Sequence, residues 1–115
     1  MPTTAPDWDD PSQLNLHGAL ATAARRFDEA ERLLRRAIAI NPREPNYHCN
    51  LGEAFRRQGR FDAAIAAFGD ALRLSPRLAM AHNNLGAALA AIDRLPDAID
   101  AYRSALAIDP ADARA

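Results

Sequence analysis

The sequence predicts an all-α protein, an α-solenoid of three helix-turn-helix hairpins with six antiparallel helices. The main observation is an internal repeat with a step of 34 residues, which is the distance from Gly52 to Gly86. In each unit a glycine is followed by an alanine, a bulky residue, a second alanine and a proline. Repeats of this length are typical of stacked helical hairpins. The three sets are Gly18, Ala30, Leu34, Ala37, Pro42; Gly52, Ala64, Phe68, Ala71, Pro76; and Gly86, Ala98, Tyr102, Ala105, Pro110.

The residue types at these positions explain why the unit is a hairpin. The glycine and the first alanine lie on either side of a turn, where small residues allow two antiparallel helices to approach within roughly 8–10 Å. We therefore expect Gly52 to face Ala64, and the equivalent glycine and alanine to face each other in the other two units. The bulky residue and the second alanine are three apart and share one helix face. The proline lacks an N–H group and ends the second helix. A single hairpin cannot bury its apolar face, so the three must stack.

Local signals place each helix in turn. Residues 1–10 have no helical period and are predicted to be a flexible lead. Asp10 is a good N-cap before Pro11, which suits the first helical position. Gly59 suits the left-handed conformation that often follows a helix. The repeats are predicted to span 11–44, 45–78 and 79–112, with a tail at 113–115. The predicted helices cover residues 11–25, 28–40, 45–58, 62–74, 79–92 and 96–108.

With these residues in place, the chain resembles the tetratricopeptide repeat (TPR) family over residues 11–112. The period, the Leu-Gly pairs at 51–52 and 85–86, the alanines, the aromatic residue and the closing proline all match the family pattern. His48 and His82 depart from it, because the family favours Trp in that slot, and the first repeat has Leu14 there. The resemblance implies a scaffold that binds other proteins and has no catalytic activity of its own.

Composition narrows the classes of function. The net charge is −1, which provides no electrostatic attraction to nucleic acid or to a membrane surface. All 14 basic residues are arginine, so lysine-based catalysis and P-loop chemistry are excluded. The single cysteine, Cys49, excludes an internal disulfide and fits a reducing compartment. The acidic start is unlike a signal peptide, and no apolar run has transmembrane length. We expect a soluble, cytoplasmic protein.

Neither catalysis nor metal binding is predicted. The sequence contains no Gly-rich phosphate loop, no nucleophile elbow and no H-E-x-x-H motif. His48 and His82 hold equivalent slots on neighbouring helices, roughly one helix-packing distance apart, which is too far for a shared metal ion. We interpret both histidines as structural residues, and we expect no catalytic residue, metal or cofactor.

The resemblance implies that the first helix of each hairpin lines a concave groove, and candidate binding residues lie on those helices. Asn50 and Asn84 are one period apart, with Asn83 adjacent. In long TPR arrays such as those of O-linked N-acetylglucosamine transferases, asparagines in this slot form a ladder along a peptide backbone. Glu53 and Arg57 lie about one and two turns after Asn50 on the same side and would add charge selectivity. Simple solubility of an exposed helix is the competing explanation for the asparagines.

A second binding mode of the family is a carboxylate clamp for the C-terminal tails of chaperones. Its two lysines, two asparagines and arginine would correspond to Asn15, Ala19, Asn50, Met80 and Asn84. Only Asn50 matches, which argues against that specialisation.

These observations predict a protein- or peptide-binding scaffold that uses the concave groove. The alternative is the N-terminal TPR region of a larger transferase-type enzyme, positioning its protein substrate. The end of the sequence suggests a further expectation. No polar solvating helix follows Pro110, so part of Ala98, Ile99, Tyr102, Ala105 and Leu106 should be uncovered. Either this chain belongs to a longer array, or another molecule, including a second copy, covers that end.

Overall fold

A computed structural model describes residues 9–108, and it confirms the predicted fold class. The chain forms six α-helices in order, with no strand among the described residues. The helices are α1 (Pro11–Ala23), α2 (Phe27–Ile40), α3 (Pro45–Arg57), α4 (Phe61–Leu74), α5 (Ala79–Ala91) and α6 (Leu95–Ile108). Each observed end lies within two residues of the predicted one. The predicted lead before residue 9 and the tail at 113–115 lie outside the described residues.

Proline and an acidic N-cap begin the first helices of repeats one and two. The Asp10 carboxylate accepts hydrogen bonds from the backbone N–H of Ser12 at 2.9 Å and from its hydroxyl at 2.7 Å. These hydrogen bonds lower the pKa of Asp10 below its ordinary value. Glu44 caps α3 in the same way, accepting from the backbone N–H of Asn46 at 3.2 Å. Pro11 and Pro45 follow these caps directly, as expected of prolines in the first turn.

The turn inside each hairpin has one residue in the left-handed conformation, at the same position of the repeat. Gly59 has φ 78°, which confirms the prediction from its position, and the equivalent residues Arg25 and Asp93 have φ 63° and 64°. The next backbone N–H then donates back into the preceding helix. In the middle repeat Arg60 donates to the Phe55 carbonyl at 2.9 Å. This pattern ends the first helix before residues 25, 59 and 93, so the predicted ends were one or two residues too late.

In each hairpin the atoms nearest to the glycine belong to the bulky residue of the second helix. A methyl group added at Gly52 would lie 2.6 Å from Cε1 of Phe68, and one at Gly18 would lie 2.6 Å from Cγ of Leu34. At Gly86 the nearest atom belongs to Tyr102, at 2.9 Å. The nearest neighbour of Gly52 is thus Phe68, and the close approach of Gly52 to Ala64 stays a prediction. The glycine provides space for the large side chain of the second helix, which covers it.

The hairpins stack through contacts of two kinds. Each second helix packs against the first helix of the next repeat, so α2 contacts α3 and α4 contacts α5. The first helices also contact one another, α1 with α3 and α3 with α5, whereas α2, α4 and α6 do not. The largest buried cluster centres on α3 and α4 and contains Leu51, Phe55 and Phe68. No helix within residues 9–108 is long and apolar enough to cross a membrane.

The outer face of α6 is exposed, as the sequence suggested, but only in part. Ile99, Tyr102 and Leu106 are 37–49% exposed. Ala98 and Ala105, which we also expected to be uncovered, are each only 2% exposed. Both alanines lie on the face of α6 that packs against α5, so their own hairpin buries them.

Candidate peptide-binding groove

The first helices of the three repeats form one continuous layer. Because α1, α3 and α5 touch in sequence while the second helices are splayed apart, the layer of first helices lies on the inner, concave side of the stack. Five predicted site residues lie on these helices, with Asn50, Glu53 and Arg57 on α3 and Asn83 and Asn84 on α5. The groove is therefore built from the helices that the resemblance implied.

A depression of about 200 Å³ lies between α1 and α3. It brings together three of the predicted residues, Asn50, Glu53 and Arg57, all from α3. The opposite wall is formed by small residues of α1, namely Ala19, Thr22 and Ala23. The Thr22 hydroxyl is buried and donates to the Gly18 carbonyl at 3.0 Å, so it is already satisfied within α1. The small residues of α1 leave space for a ligand group, and α3 supplies the polar side chains.

The side chain of Asn50 is held by a residue from the neighbouring repeat. Its Nδ2 donates to Oδ1 of Asn15 on α1 at 2.8 Å. No other hydrogen bond of either amide is found within residues 9–108, so Oδ1 of Asn50 and Nδ2 of Asn15 are available to a ligand. An amide pair of this kind presents both an acceptor and a donor, which are the groups that a peptide backbone recognises.

Asn84 lies at the equivalent position one repeat later and has a different partner. It hydrogen-bonds to the thiol of Cys49, a weak partner for an amide. Burial raises the pKa of the Cys49 thiol to about 12, the charge of Glu53 adds to this, and the bond to Asn84 offsets part of it. Cys49 is thus an unreactive buried thiol. Asn83 is exposed beside Asn84, and neither residue lines the depression.

Glu53 is shared between two arginines of the same helix. Its carboxylate accepts from Nε and Nη2 of Arg56 at 2.8 and 2.7 Å, and from Nε of Arg57 at 3.0 Å. Burial acts to raise the pKa of Glu53, but the hydrogen bonds and positive charges of Arg56 and Arg57 outweigh it and lower the pKa below its ordinary value. One carboxylate between two guanidinium groups leaves a net positive charge at this side of the depression.

Sequence reasoning missed Asn15 as the partner of Asn50. The two residues are 35 positions apart, one more than the repeat period, so a search at the period cannot pair them. Ala19 and Ala23 were also missed as the wall of the depression. A detectable signal for them is the spacing of two alanines four apart on one face of α1.

His48 and His82 each form one hydrogen bond to a backbone carbonyl. His48 Nε2 donates to the Pro42 carbonyl at 2.9 Å, and His82 Nε2 donates to the Pro76 carbonyl at 2.8 Å. Each histidine thus ties the start of a first helix to the proline that ended the preceding repeat. No group of three metal-ligating side chains is found in the described part of the chain.

The stacked hairpins, the inner layer of first helices and the glycines beneath bulky residues define a helical-repeat solenoid. The family model described as Tetratricopeptide repeat matches residues 16–79 and 49–113. The chain belongs to the tetratricopeptide repeat family. No curated protein matches the chain.

Solved structures share the same fold. The Arabidopsis OM64 TPR domain has a TM-score of 0.86 at 22% identity, over 93% of this chain and 90% of that one. The first TPR of Spaghetti (RPAP3), bound to the HSP90 peptide SRMEEVD, has a TM-score of 0.85 at 23% identity, over 95% and 86%. MamA has a TM-score of 0.83 at 22% identity, where 95% of this chain spans 64% of that one.

Proposed function

We propose that this protein is a non-catalytic interaction module that binds an extended segment of another protein in its concave groove. The observation that carries the proposal is the depression between α1 and α3. There Asn50, Glu53 and Arg57 converge opposite a wall of small residues. The depression can receive one side chain of the ligand, while the amides beside it pair with the ligand backbone.

The asparagines supply recognition that does not depend on the ligand's side chains. The free acceptor on Asn50 and the free donor on Asn15 can bond to one peptide unit. One repeat later, a peptide unit can replace the weak thiol partner of Asn84, with Asn83 exposed beside it. Helices separated by roughly 10 Å match about three extended residues of ~3.3 Å each. Asn50 and Asn84 would then form the two-step ladder that the likeness to long transferase arrays suggested.

The charges favour a ligand with an acidic side chain near the first two repeats. Glu53 cannot neutralise both Arg56 and Arg57, and Arg57 is 46% exposed at its side chain. The Spaghetti domain, whose fold is the same, is solved with an acidic peptide, which supports a peptide as the ligand. In this chain Ala19 and Met80 occupy clamp positions, so we do not expect a terminal carboxylate to be the recognised group.

The same groove would serve the alternative in which the repeats present a protein substrate to a transferase domain, but no contact within residues 9–108 favours that alternative. The free, buried Cys49 fits a reducing compartment, so we propose the cytoplasm as the location.

The test is a titration of a peptide selected from a random library by the parent protein. Replacing Asn50 and Asn84 together by alanine should weaken binding by about 0.5–1.5 kcal/mol per lost hydrogen bond. Arg57→Ala should weaken it further for acidic peptides only. Arg32→Ala is the matched control, because Arg32 is an exposed arginine on α2, outside the inner layer. Equal affinity of the double variant and the parent would show that the asparagines are merely solvated residues.

A further inference from the structure

The helices α3 and α5 each turn one stripe of four residues toward the groove, and we call these the α3 stripe and the α5 stripe. The α3 stripe begins at Asn46 and continues with Asn50, Glu53 and Arg57, which line the depression described above. Its residues are four, three and four apart, so they follow one face of the helix. Shifted by the period of 34, the same positions give the α5 stripe, which consists of Met80, Asn84, Ala87 and Ala91.

The two stripes differ in chemistry. The α3 stripe has a carboxylate and a guanidinium group after its asparagine, whereas the α5 stripe has no charged residue. Alanines stand in place of Glu53 and Arg57, and Met80 stands where α3 has Asn46. Met80 is 43% exposed. The groove is thus charged near the end of α3 and apolar at the start of α5.

The exposure of Met80 comes from the inner face of α5 and not from the end of the stack. Asn46, at the same position of α3, is exposed as well, although first helices pack on both sides of α3. Met80 is therefore accessible to a ligand in the groove. Methionine is flexible and polarisable, so it can pack against apolar side chains of different shapes.

The orientation of a bound segment decides which of its side chains reaches Met80. In an extended chain, successive side chains point to opposite sides, roughly perpendicular to the chain axis and to the hydrogen-bonding direction of the peptide groups. A segment whose peptide groups pair with Asn50 and Asn84 on the groove floor runs across the helices. Its side chains then point along the helices, alternately toward their ends and toward their starts.

This geometry fixes the spacing between the two side chains that reach the charged and the apolar part of the groove. The step from α3 to α5, roughly 10 Å, takes about three extended residues, and an odd number of residues reverses the side-chain direction. A side chain that points from Asn50 toward Arg57 is therefore followed, three positions away, by one that points from Asn84 toward Met80. Met80 lies four residues before Asn84, about 6 Å along the helix, which a long side chain can span.

We propose that the groove selects an extended segment with an acidic and an apolar side chain three positions apart, the acidic one on Arg57 and the apolar one on Met80. This inference rests on the proposed groove function and adds a sequence preference to it. Arg57 donates to Glu53 through Nε, and no other hydrogen bond of its guanidinium group is found within residues 9–108, so both Nη groups can bind a carboxylate. At a spacing of two or four, the apolar side chain points toward Ala87 and leaves Met80 uncovered.

The probe is a peptide that the parent protein selects from a random library, and we expect it to carry the two side chains at a spacing of three. Moving its apolar residue by one position should weaken binding about fivefold, because that side chain loses its contact with Met80. Met80→Gln should weaken binding of the selected peptide by a similar factor and leave the shifted peptides unchanged. Leu74→Gln is the matched control, since Leu74 is 41% exposed on α4, outside the inner layer. Circular dichroism should show the parent's helix content in both variants, because glutamine is as good a helix former as methionine or leucine.

Three results would each overturn the proposal: selected peptides without the three-residue spacing, equal affinity for selected and shifted peptides, or equal affinity of Met80→Gln and the parent. The double variant of Asn50 and Asn84 separates this failure from failure of the groove function. If the double variant binds the selected peptide more weakly than the parent does, the groove function stands without the sequence preference. If the double variant also binds like the parent, both proposals fail.

Discussion

At the scale of single residues, the turn inside each hairpin requires a left-handed backbone, but only the middle repeat has glycine there. Arg25 and Asp93 adopt φ of 63° and 64° at the positions equivalent to Gly59. A side chain in this conformation is strained, because its Cβ approaches the following carbonyl oxygen. Asp93 tolerates the left-handed region better than Arg25 does, since short polar side chains are less disfavoured there.

Replacing these residues by glycine should therefore stabilise the protein. We expect Arg25→Gly to raise the free energy of unfolding by ~0.5–1 kcal/mol and Asp93→Gly by less. The backbone strain that glycine relieves in the folded state exceeds the entropy that it adds to the unfolded chain. Gly59→Ala should lower it. Urea denaturation of the three variants measures these changes. An unchanged midpoint for Arg25→Gly would mean that its contact with the Phe27 ring, at 5.3 Å, contributes as much as the strain costs.

The three glycines beneath bulky residues are not equally sensitive. A methyl group at Gly52 would lie 2.6 and 2.7 Å from two atoms of the Phe68 ring, which is fully buried and cannot move aside. We expect Gly52→Ala to destabilise the fold by about 1–3 kcal/mol. Gly86→Ala should cost less, since the Tyr102 ring is 2.9 Å away but 37% exposed and free to shift.

Gly69 is the control for this comparison. It lies inside α4 with nothing within 4 Å of an added methyl group. Gly69→Ala should therefore stabilise the helix by ~0.5–1 kcal/mol. Thermal or urea melts of the three alanine variants measure the order, and equal losses for Gly52→Ala and Gly86→Ala would show that the Phe68 ring does relax.

At the scale of the helices, Glu31 on α2 and Glu53 on α3 each form ion pairs with two arginines. Glu31 accepts from Arg35 at 2.9 Å and from Arg60 of the next repeat at 3.1 Å. Burial acts to raise the pKa of Glu31, but these bonds outweigh it and lower the pKa below its ordinary value of 4.5. Glu53 behaves in the same way with Arg56 and Arg57.

A carboxylate whose pKa is lowered by folding stabilises the folded state above its unfolded pKa and loses that effect as the pH falls. The free energy of unfolding should thus be steady near neutral pH and decline as the pH drops below 4.5. Glu31→Gln and Glu53→Gln should each cost about 0.5–1 kcal/mol at neutral pH and flatten the decline. Urea denaturation at a series of pH values measures the free energy of unfolding of each variant. Asp62→Asn, at the exposed start of α4, is the control.

The helices could be predicted closely because their limits depend on neighbouring residues. Asp10 before Pro11, and Pro42 and Pro76 after the second helices, act within one turn, so the sequence places those helix ends within two residues. Which side chain faces each glycine was not predictable in this way. The period shows that Gly52 and Gly86 are equivalent, but it does not show whether Ala64 or Phe68 covers the glycine. That choice depends on the rotation of one helix against another.

The candidate groove was predictable to a similar extent. Asn50, Glu53 and Arg57 could be assigned to one face by helical spacing, and they do line one depression. The partners of the asparagines could not be assigned, because both depend on contacts between repeats. Asn15 reaches Asn50 from a position off the period, and the Cys49 thiol bonds to Asn84 from the preceding repeat. The two asparagines, although equivalent in the repeat, thus have two different environments.

At the scale of the whole molecule, burial is concentrated in the middle repeat. The main cluster joins Phe55 and Phe68 to buried residues of both neighbours, whereas the last hairpin has a small cluster of Leu89, Ala98 and Ala101. In a stack where each repeat contacts only its neighbours, stability is a sum of repeat and junction contributions. The end with the fewest buried groups should therefore open first.

Amide hydrogen exchange measures this gradient. We expect α3 and α4 to exchange most slowly and α6 most rapidly, because local opening of an end disrupts only one junction. Phe68→Leu should speed exchange in every helix, since it removes packing at the centre of the stack. Leu89→Ala should speed exchange mainly in α5 and α6, where Leu89 packs. Uniform exchange across the six helices, changed equally by both substitutions, would show instead that the three repeats unfold as a single cooperative unit.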